Sequence, residues 1–157
     1  MLPRRALIGT AAVLTVVAAA GAYLWIARTT KPRVFTGIVA GVALGGYDAV
    51  AYFTDGTPTP GREDLSLLHD GATWRFANDD NRKAFRADPS RYAPQYGGYC
   101  AYAVAGGGTS GGSPKAWRIV DGRLYLNATP RVQLNWEKDI AGYIRKADAN
   151  WPQVLRQ

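Results

Sequence analysis

One cysteine, one histidine and one methionine occur in 157 residues. A single thiol, Cys100, closes no disulfide within the chain and builds no multi-cysteine metal centre. A single imidazole, His69, excludes the usual catalytic zinc and copper centres that need several. Negative charge is missing from the start of the chain, since all 12 acidic residues lie beyond residue 33. Residues 6–27 carry no charge of either sign.

That uncharged run is 22 residues of mostly Ala, Val, Leu and Ile, with Arg4 and Arg5 before it and Arg28, Lys31 and Arg33 after it. At about 1.5 Å per residue it reaches about 33 Å, enough to cross the hydrocarbon core of a bilayer. Residues 1–28 fit two readings. One is a secretory signal, with Ala20-Gly21-Ala22 as an A-x-A cleavage site. The other is an uncleaved anchor, with Tyr23 and Trp25 in the interfacial aromatic belt. Arg4-Arg5 also matches part of a twin-arginine export signal. Either way the membrane is the first partner, and the domain is expected on the periplasmic or extracellular side, or exported.

The net charge of +7 is not spread over the chain. Five of the 19 basic residues flank the apolar run, which leaves 14 against 12 acidic residues, or +2. A nucleic-acid footprint needs basic clusters on the folded part. The nearest candidate, Arg82, Lys83 and Arg86, lies beside Asp79 and Asp80 and reads as a solvated helix face. Nucleic acid is excluded as a partner.

Residues 29–33 form a short basic linker, and a domain is expected over 34–157. An edge strand is expected over 35–42 and a second strand over 46–53, where Val50 and Tyr52 alternate. Residues 65–76 predict a hairpin turning at Asp70-Gly71, and 116–126 a second turning at Asp121-Gly122. Between them a helix starts at Asn78, Asp79 or Asp80 and stops at Asp88-Pro89. Residues 92–105 are too rich in glycine for a continuous helix. The Gly/Ser run 106–114 lacks the Lys-Ser/Thr ending of a phosphate loop and reads as a flexible lid or linker. After Pro130, the four-residue spacing of Val132, Trp136, Ile140 and Ile144 predicts one long amphipathic helix, with order ending at Trp151-Pro152. No internal repeat is visible. The expected class is α+β, a small antiparallel sheet with packed helices behind an N-terminal apolar helix.

Cys100 sits in Tyr96-Gly97-Gly98-Tyr99-Cys100-Ala101-Tyr102. As a residue type it is a small buried hydrophobe or, with a lowered pKa, a reactive thiol. Glycines at 97 and 98 permit a turn that aims backbone N–H groups at a thiolate. His69, just before a hairpin turn, is expected in solvent and away from any Cys–His pair. Tyr47, Tyr92, Tyr96, Tyr99 and Tyr102 with Trp74 and Trp117 either line a pocket for a flat ligand or fill an aromatic core. Asp48 either orients a group near such a pocket or satisfies backbone amides.

Gly46-Tyr47-Asp48-Ala49-Val50-Ala51-Tyr52-Phe53, Gly71-Ala72-Thr73-Trp74-Arg75-Phe76 and Tyr92-Ala93-Pro94-Gln95-Tyr96-Gly97-Gly98-Tyr99-Cys100 together resemble the YHS domain family, in particular its exported branch. The likeness continues through Ile119-Val120-Asp121-Gly122 and Trp136-Glu137-Lys138-Asp139-Ile140 to Trp151-Pro152. In metal-binding members of that family, cysteines stand at the positions of Ala51, Ala77 and Asn81, so that metal site does not carry over. Some exported members carry selenocysteine where Cys100 stands, which implies reactivity there. The resemblance implies a redox or ligand-binding role centred on Cys100, with Asp48, Tyr96, Tyr99 and Tyr102 as ligand-binding candidates. With no second cysteine, an oxidised Cys100 needs an external thiol or redox partner. A non-catalytic metal- or small-ligand-binding module and a structural or partner-docking domain are the alternatives. The sequence specifies no cofactor.

Overall fold

The computed structural model describes residues 30–156, so the expected apolar helix at the N-terminus lies outside the described residues. The fold is α+β, but its strands make two separate two-stranded antiparallel sheets rather than one. β1 (Arg62–His69) pairs with β2 (Ala72–Phe76), and β3 (Ser113–Val120) pairs with β4 (Arg123–Asn127). Each hairpin turns on the expected Asp-Gly pair, with both residues at positive φ: 47° and 73° at Asp70-Gly71, 49° and 72° at Asp121-Gly122. That is the two-residue turn whose twist matches paired strands.

A short 3-10 turn (Ala43–Gly46) precedes α1 (Ala51–Thr54), then the first hairpin, then α2 (Asp79–Ala87). After α3 (Pro89–Tyr92) the order runs again: a 3-10 turn (Gln95–Gly98), α4 (Ala101–Ala105), the second hairpin and α5 (Pro130–Trp136). The correspondence reaches single hydrogen bonds. Asp48 N donates to Thr59 O and Gly61 N to Gly46 O, both at 2.8 Å. In the second pass Cys100 N donates to Ser110 O at 2.8 Å and Gly112 N to Gly98 O at 3.0 Å. Leu44 and Gly45 hold φ of 53° and 60°, and Tyr96 and Gly97 hold 56° and 60°. Each hairpin shifts register once, between Arg62 and Ser66 and between Ser113 and Trp117. Asn78 caps α2 by accepting from Asn81 N, and Thr129 caps α5 by accepting from Val132 N. Trp74 packs on Phe85 at 4.7 Å, and Tyr125 on Trp136 at 5.5 Å. Among the described residues the chain thus runs twice through one order of 3-10 turn, helix, hairpin and helix, a repeat not visible in the sequence. The two passes share Gly-Gly-Tyr, the alanines 49/101 and 51/103, and the Asp-Gly turns, while most other side chains differ.

Several expected elements differ. Residues 46–53 do not form a strand, because Asp48 Oδ1 accepts from Val50 N and Ala51 N and starts α1 instead. Residues 35–42 contribute only isolated bridges, Val39 to Val42 and Val42 to Thr73. The long helix after Pro130 is broken by a 3-10 turn (Glu137–Asp139) before α6 (Ile140–Asn150). Asp139 leaves helical geometry at φ −152° so that its side chain accepts from Gly142 N. Order continues past Trp151-Pro152 into a 3-10 turn (Gln153–Arg156) that buries Val154 and Leu155. The Gly/Ser run is pinned at 110–112 by the bonds to Gly98 and Cys100 rather than left free.

Pro32–Leu155 makes one compact unit with two apolar clusters, and β4 divides them. Leu124 and Leu126 face the first cluster, around Trp74, Phe76 and Phe85. Tyr125 faces the second, around Val104, Trp136 and Ala147. Alternation along a strand buried on both sides produces this split.

Candidate functional site

Asp48 and Cys100 occupy equivalent positions in the two halves, each directly after Gly-Gly-Tyr. Asp48 is fully buried. Its Oδ1 accepts from Val50 N at 2.8 Å and Ala51 N at 3.4 Å, and its Oδ2 from Ala77 N at 2.8 Å and Asn81 Nδ2 at 2.7 Å. Both oxygens are committed to the protein's own donors, so Asp48 ties the start of α1 to the junction of β2 and α2. Of its two expected roles, it satisfies amides.

Cys100 has 1% of its surface exposed and precedes α4. Among the described residues its Sγ has one polar partner, Asn127 Oδ1, at 3.7 Å. That oxygen also accepts from Tyr102 N at 3.4 Å, the amide equivalent to Val50 N. A side chain at the end of β4 has thus taken over part of the capping that Asp48 performs in the first half, and the sulfur is left out of it. Asn127 is itself fully buried, and among the described residues its Nδ2 has no hydrogen-bond partner. Arg82 Nε and Trp136 Nε1, on other elements, share that state. A buried donor left unpaired costs about 1–3 kcal/mol.

Sequence reasoning missed Asn127. The available signal was its place as a polar residue closing the apolar strand Leu124-Tyr125-Leu126.

The three candidate tyrosines do not converge. The Tyr96 hydroxyl donates to Asp148 Oδ1 at 2.8 Å, and burial together with that carboxylate holds its pKa well above the ordinary phenol value. The Tyr99 hydroxyl donates to Pro32 O at 3.0 Å, and burial raises its pKa too. Tyr102 sets its ring against Tyr143 at 5.0 Å. Tyr96 and Tyr99 both pack near Trp151, at 5.9 and 6.0 Å. Tyr96 and Tyr99 belong to the second core cluster, and Tyr102 packs against it.

His69 is exposed, with its ring edge-on to Phe85 at 5.7 Å. It is not bonded to Cys100. It lines a cleft of about 200 Å³ with Arg33, Asp70, Trp74, Tyr96 and Trp151. A second, more apolar depression of about 360 Å³ runs along Phe35, Tyr47, Gly111 and Pro114. Neither cleft is lined by Cys100. Among the described residues no group of three or more His, Cys, Asp and Glu side chains is placed to hold a metal ion, and no helix is long and apolar enough to cross a membrane.

Chemically, the Cys100 site offers a shielded sulfur, no adjacent base among the described residues, and a buried amide N–H donor on the residue that touches the sulfur. Compared with known proteins, the chain matches no family model, no curated protein and no solved structure.

Proposed function

We propose that the chain is an exported or membrane-anchored domain of the YHS type in which Cys100 is a shielded redox thiol. The observation that carries this is the exchange of duties at the repeated position. Asp48 spends both oxygens on structural bonds, whereas Cys100 has handed its capping to Asn127 and keeps one long contact. A sulfur relieved of structural work, beside an uncommitted amide donor, suits chemistry in which that sulfur gains an oxygen.

The oxidant class is a small peroxide. The Cys100 thiol loses its proton, its sulfur attacks one peroxide oxygen, the O–O bond breaks, and water or an alcohol leaves with that proton. Sulfur is oxidised by two electrons to the sulfenic acid and the peroxide is reduced. An external thiol then condenses with the sulfenic acid, releasing water and leaving a mixed disulfide, and a second external thiol displaces Cys100 in its reduced form. Asn127 Nδ2 supplies a hydrogen bond to the new oxygen. With Cys100 only 1% exposed, access requires local opening around the sulfur.

The test is trapping with dimedone after hydrogen peroxide treatment of the folded chain, read by peptide mass. A stoichiometric adduct at Cys100 is expected, with none in Cys100→Ser. Asn127→Asp keeps the acceptor for Tyr102 N but removes the amide donor, and its adduct yield at equal peroxide should fall about tenfold. A folded chain that yields adduct only in denaturant sinks the reading.

A further inference from the structure

We propose that the folded domain has a membrane-docking surface of its own, an exposed apolar turn at residues 37–41 with the apolar depression beside it, and that its occupant is lipid at the bilayer interface. This rests on the membrane-anchored form of the reading above, and the surface stands apart from Cys100.

A single exposed apolar side chain means little. Here Gly37, Ile38, Val39, Ala40 and Gly41 are exposed in succession, with Ile38 at 50% and Val39 at 38%. Between Thr36 and Tyr47 no residue carries a polar side chain. The turn is fixed to the domain behind it. Val42 N donates to Val39 O at 2.9 Å, Gly41 takes a φ of 74° within that turn, and Thr73 N of β2 donates to Gly41 O at 2.9 Å. Ile38 rests against Gly45, where an added Cβ would collide with it. Three backbone groups of the turn are thus already paired and are not stranded when the turn leaves water. Ile38 also borders the depression of about 360 Å³, which continues the apolar surface along the half-buried rings of Phe35 and Tyr47.

Charge and reach name the occupant. The first acidic residue of the chain is Asp48, which is fully buried. Among the described residues lining the depression the one charged side chain is Lys115, exposed at its edge. A face that is apolar, basic at its edge and without exposed carboxylates suits the headgroups and upper acyl chains of anionic phospholipid. Eleven residues separate Ala27, the end of the uncharged run, from Ile38, and at full extension they span at most about 40 Å. A bilayer that holds the run therefore stays within reach of the turn.

The test uses the full chain in vesicles of phosphatidylcholine and phosphatidylglycerol. With Cys100→Ser as background, a fluorophore is placed on Ile38→Cys, Leu68→Cys or Leu134→Cys, the last two being apolar positions still more exposed than Ile38. Part of the lipid carries a nitroxide quencher near the carbonyl end of its acyl chain, at the depth of about 5–10 Å that interfacial segments reach. Quenching at residue 38 should exceed that at 68 and 134 by about threefold or more. Val39→Asp should bring it down to their level, because a carboxylate resists transfer out of water. Flotation of the vesicles separates the two readings. A chain that floats with equal quenching at all three positions, as an unfolded chain would also give, overturns the surface and leaves the anchor standing. A chain that does not float overturns both. Energy transfer between labels at residue 38 without nitroxide quenching assigns the face to a second copy of the chain and overturns lipid as the occupant. Quenching unmoved by Val39→Asp overturns the turn as the docking element.

Discussion

Asp48 carries four hydrogen bonds on two oxygens inside the first core cluster, while Cys100, at the same place in the second half, carries one contact of 3.7 Å. The difference makes Asp48 the more fragile residue. Asp48→Asn keeps the volume but points an N–H₂ group at donors, either Ala77 N and Asn81 Nδ2 or Val50 N and Ala51 N. Stability should fall by about 3 kcal/mol, because buried donors lose a charged acceptor and one end of the amide is opposed. In urea unfolding the midpoint should drop at unchanged slope. A loss below about 1 kcal/mol would show that the carboxylate is not the tie between α1 and the β2–α2 junction. The residue types at 48 and 100 were plain in the sequence, and so was the choice of roles for Asp48. Choosing between those roles required knowing which amides surround each side chain, and three of the groups involved, Ala77, Asn81 and Asn127, lie 27 or more residues away in the chain.

Elements with strong local signals formed where the sequence placed them. Both Asp-Gly hairpins and the Asn78-capped helix need only a few neighbouring residues to specify them. The failures came where a local side-chain cap or an unfavoured backbone conformation overrode the pattern, as at Asp48 and Asp139. The 3-10 turns are the clearest case, since Leu44 and Tyr96 adopt positive φ that neither residue type favours. Gly97 explains why the second turn needs glycine in particular. It sits at φ +60°, its carbonyl accepts from Phe35 N at 2.8 Å, and a Cβ there would collide with the backbone carbonyl of Arg33. Gly45, its counterpart, would meet only the Ile38 side chain, which can move. Gly97→Ala should therefore destabilise the chain by about 2 kcal/mol or more and Gly45→Ala by about 1 kcal/mol, the backbone strain alone. Thermal melts of the two variants check the order, and equal losses would contradict it.

Across the molecule, the two clusters divided by β4 hold most of the tyrosine rings in place. Burial, the leading cause in each case, raises the hydroxyl pKa of Tyr52, Tyr96, Tyr99 and Tyr125. A raised folded pKa means that the folded chain keeps protons which the unfolded chain gives up. Stability from these groups is fully present below the ordinary phenol value near pH 10 and is lost as pH rises from there toward the folded values. Absorbance at 295 nm should show these phenols ionising together with the loss of ellipticity above about pH 10. Their ionisation in a chain that remains folded would refute the assignment.

Composition and local pattern were enough to establish the α+β class, the two hairpin turns, the exclusion of cysteine-rich and multi-histidine metal centres, and the concentration of positive charge around an apolar N-terminal run. Each follows from residues adjacent in sequence or from simple counts. The repeated element order, the Cys100–Asn127 pair and the cleft of His69 with Arg33 and Trp151 become visible only in the tertiary structure. The halves match in element order and in several backbone hydrogen bonds, while most of their side chains differ. Asp48 and Cys100 looked unrelated along the chain. Folding sets them at the same station of one repeated unit, where the carboxylate is committed to structure and the sulfur is not.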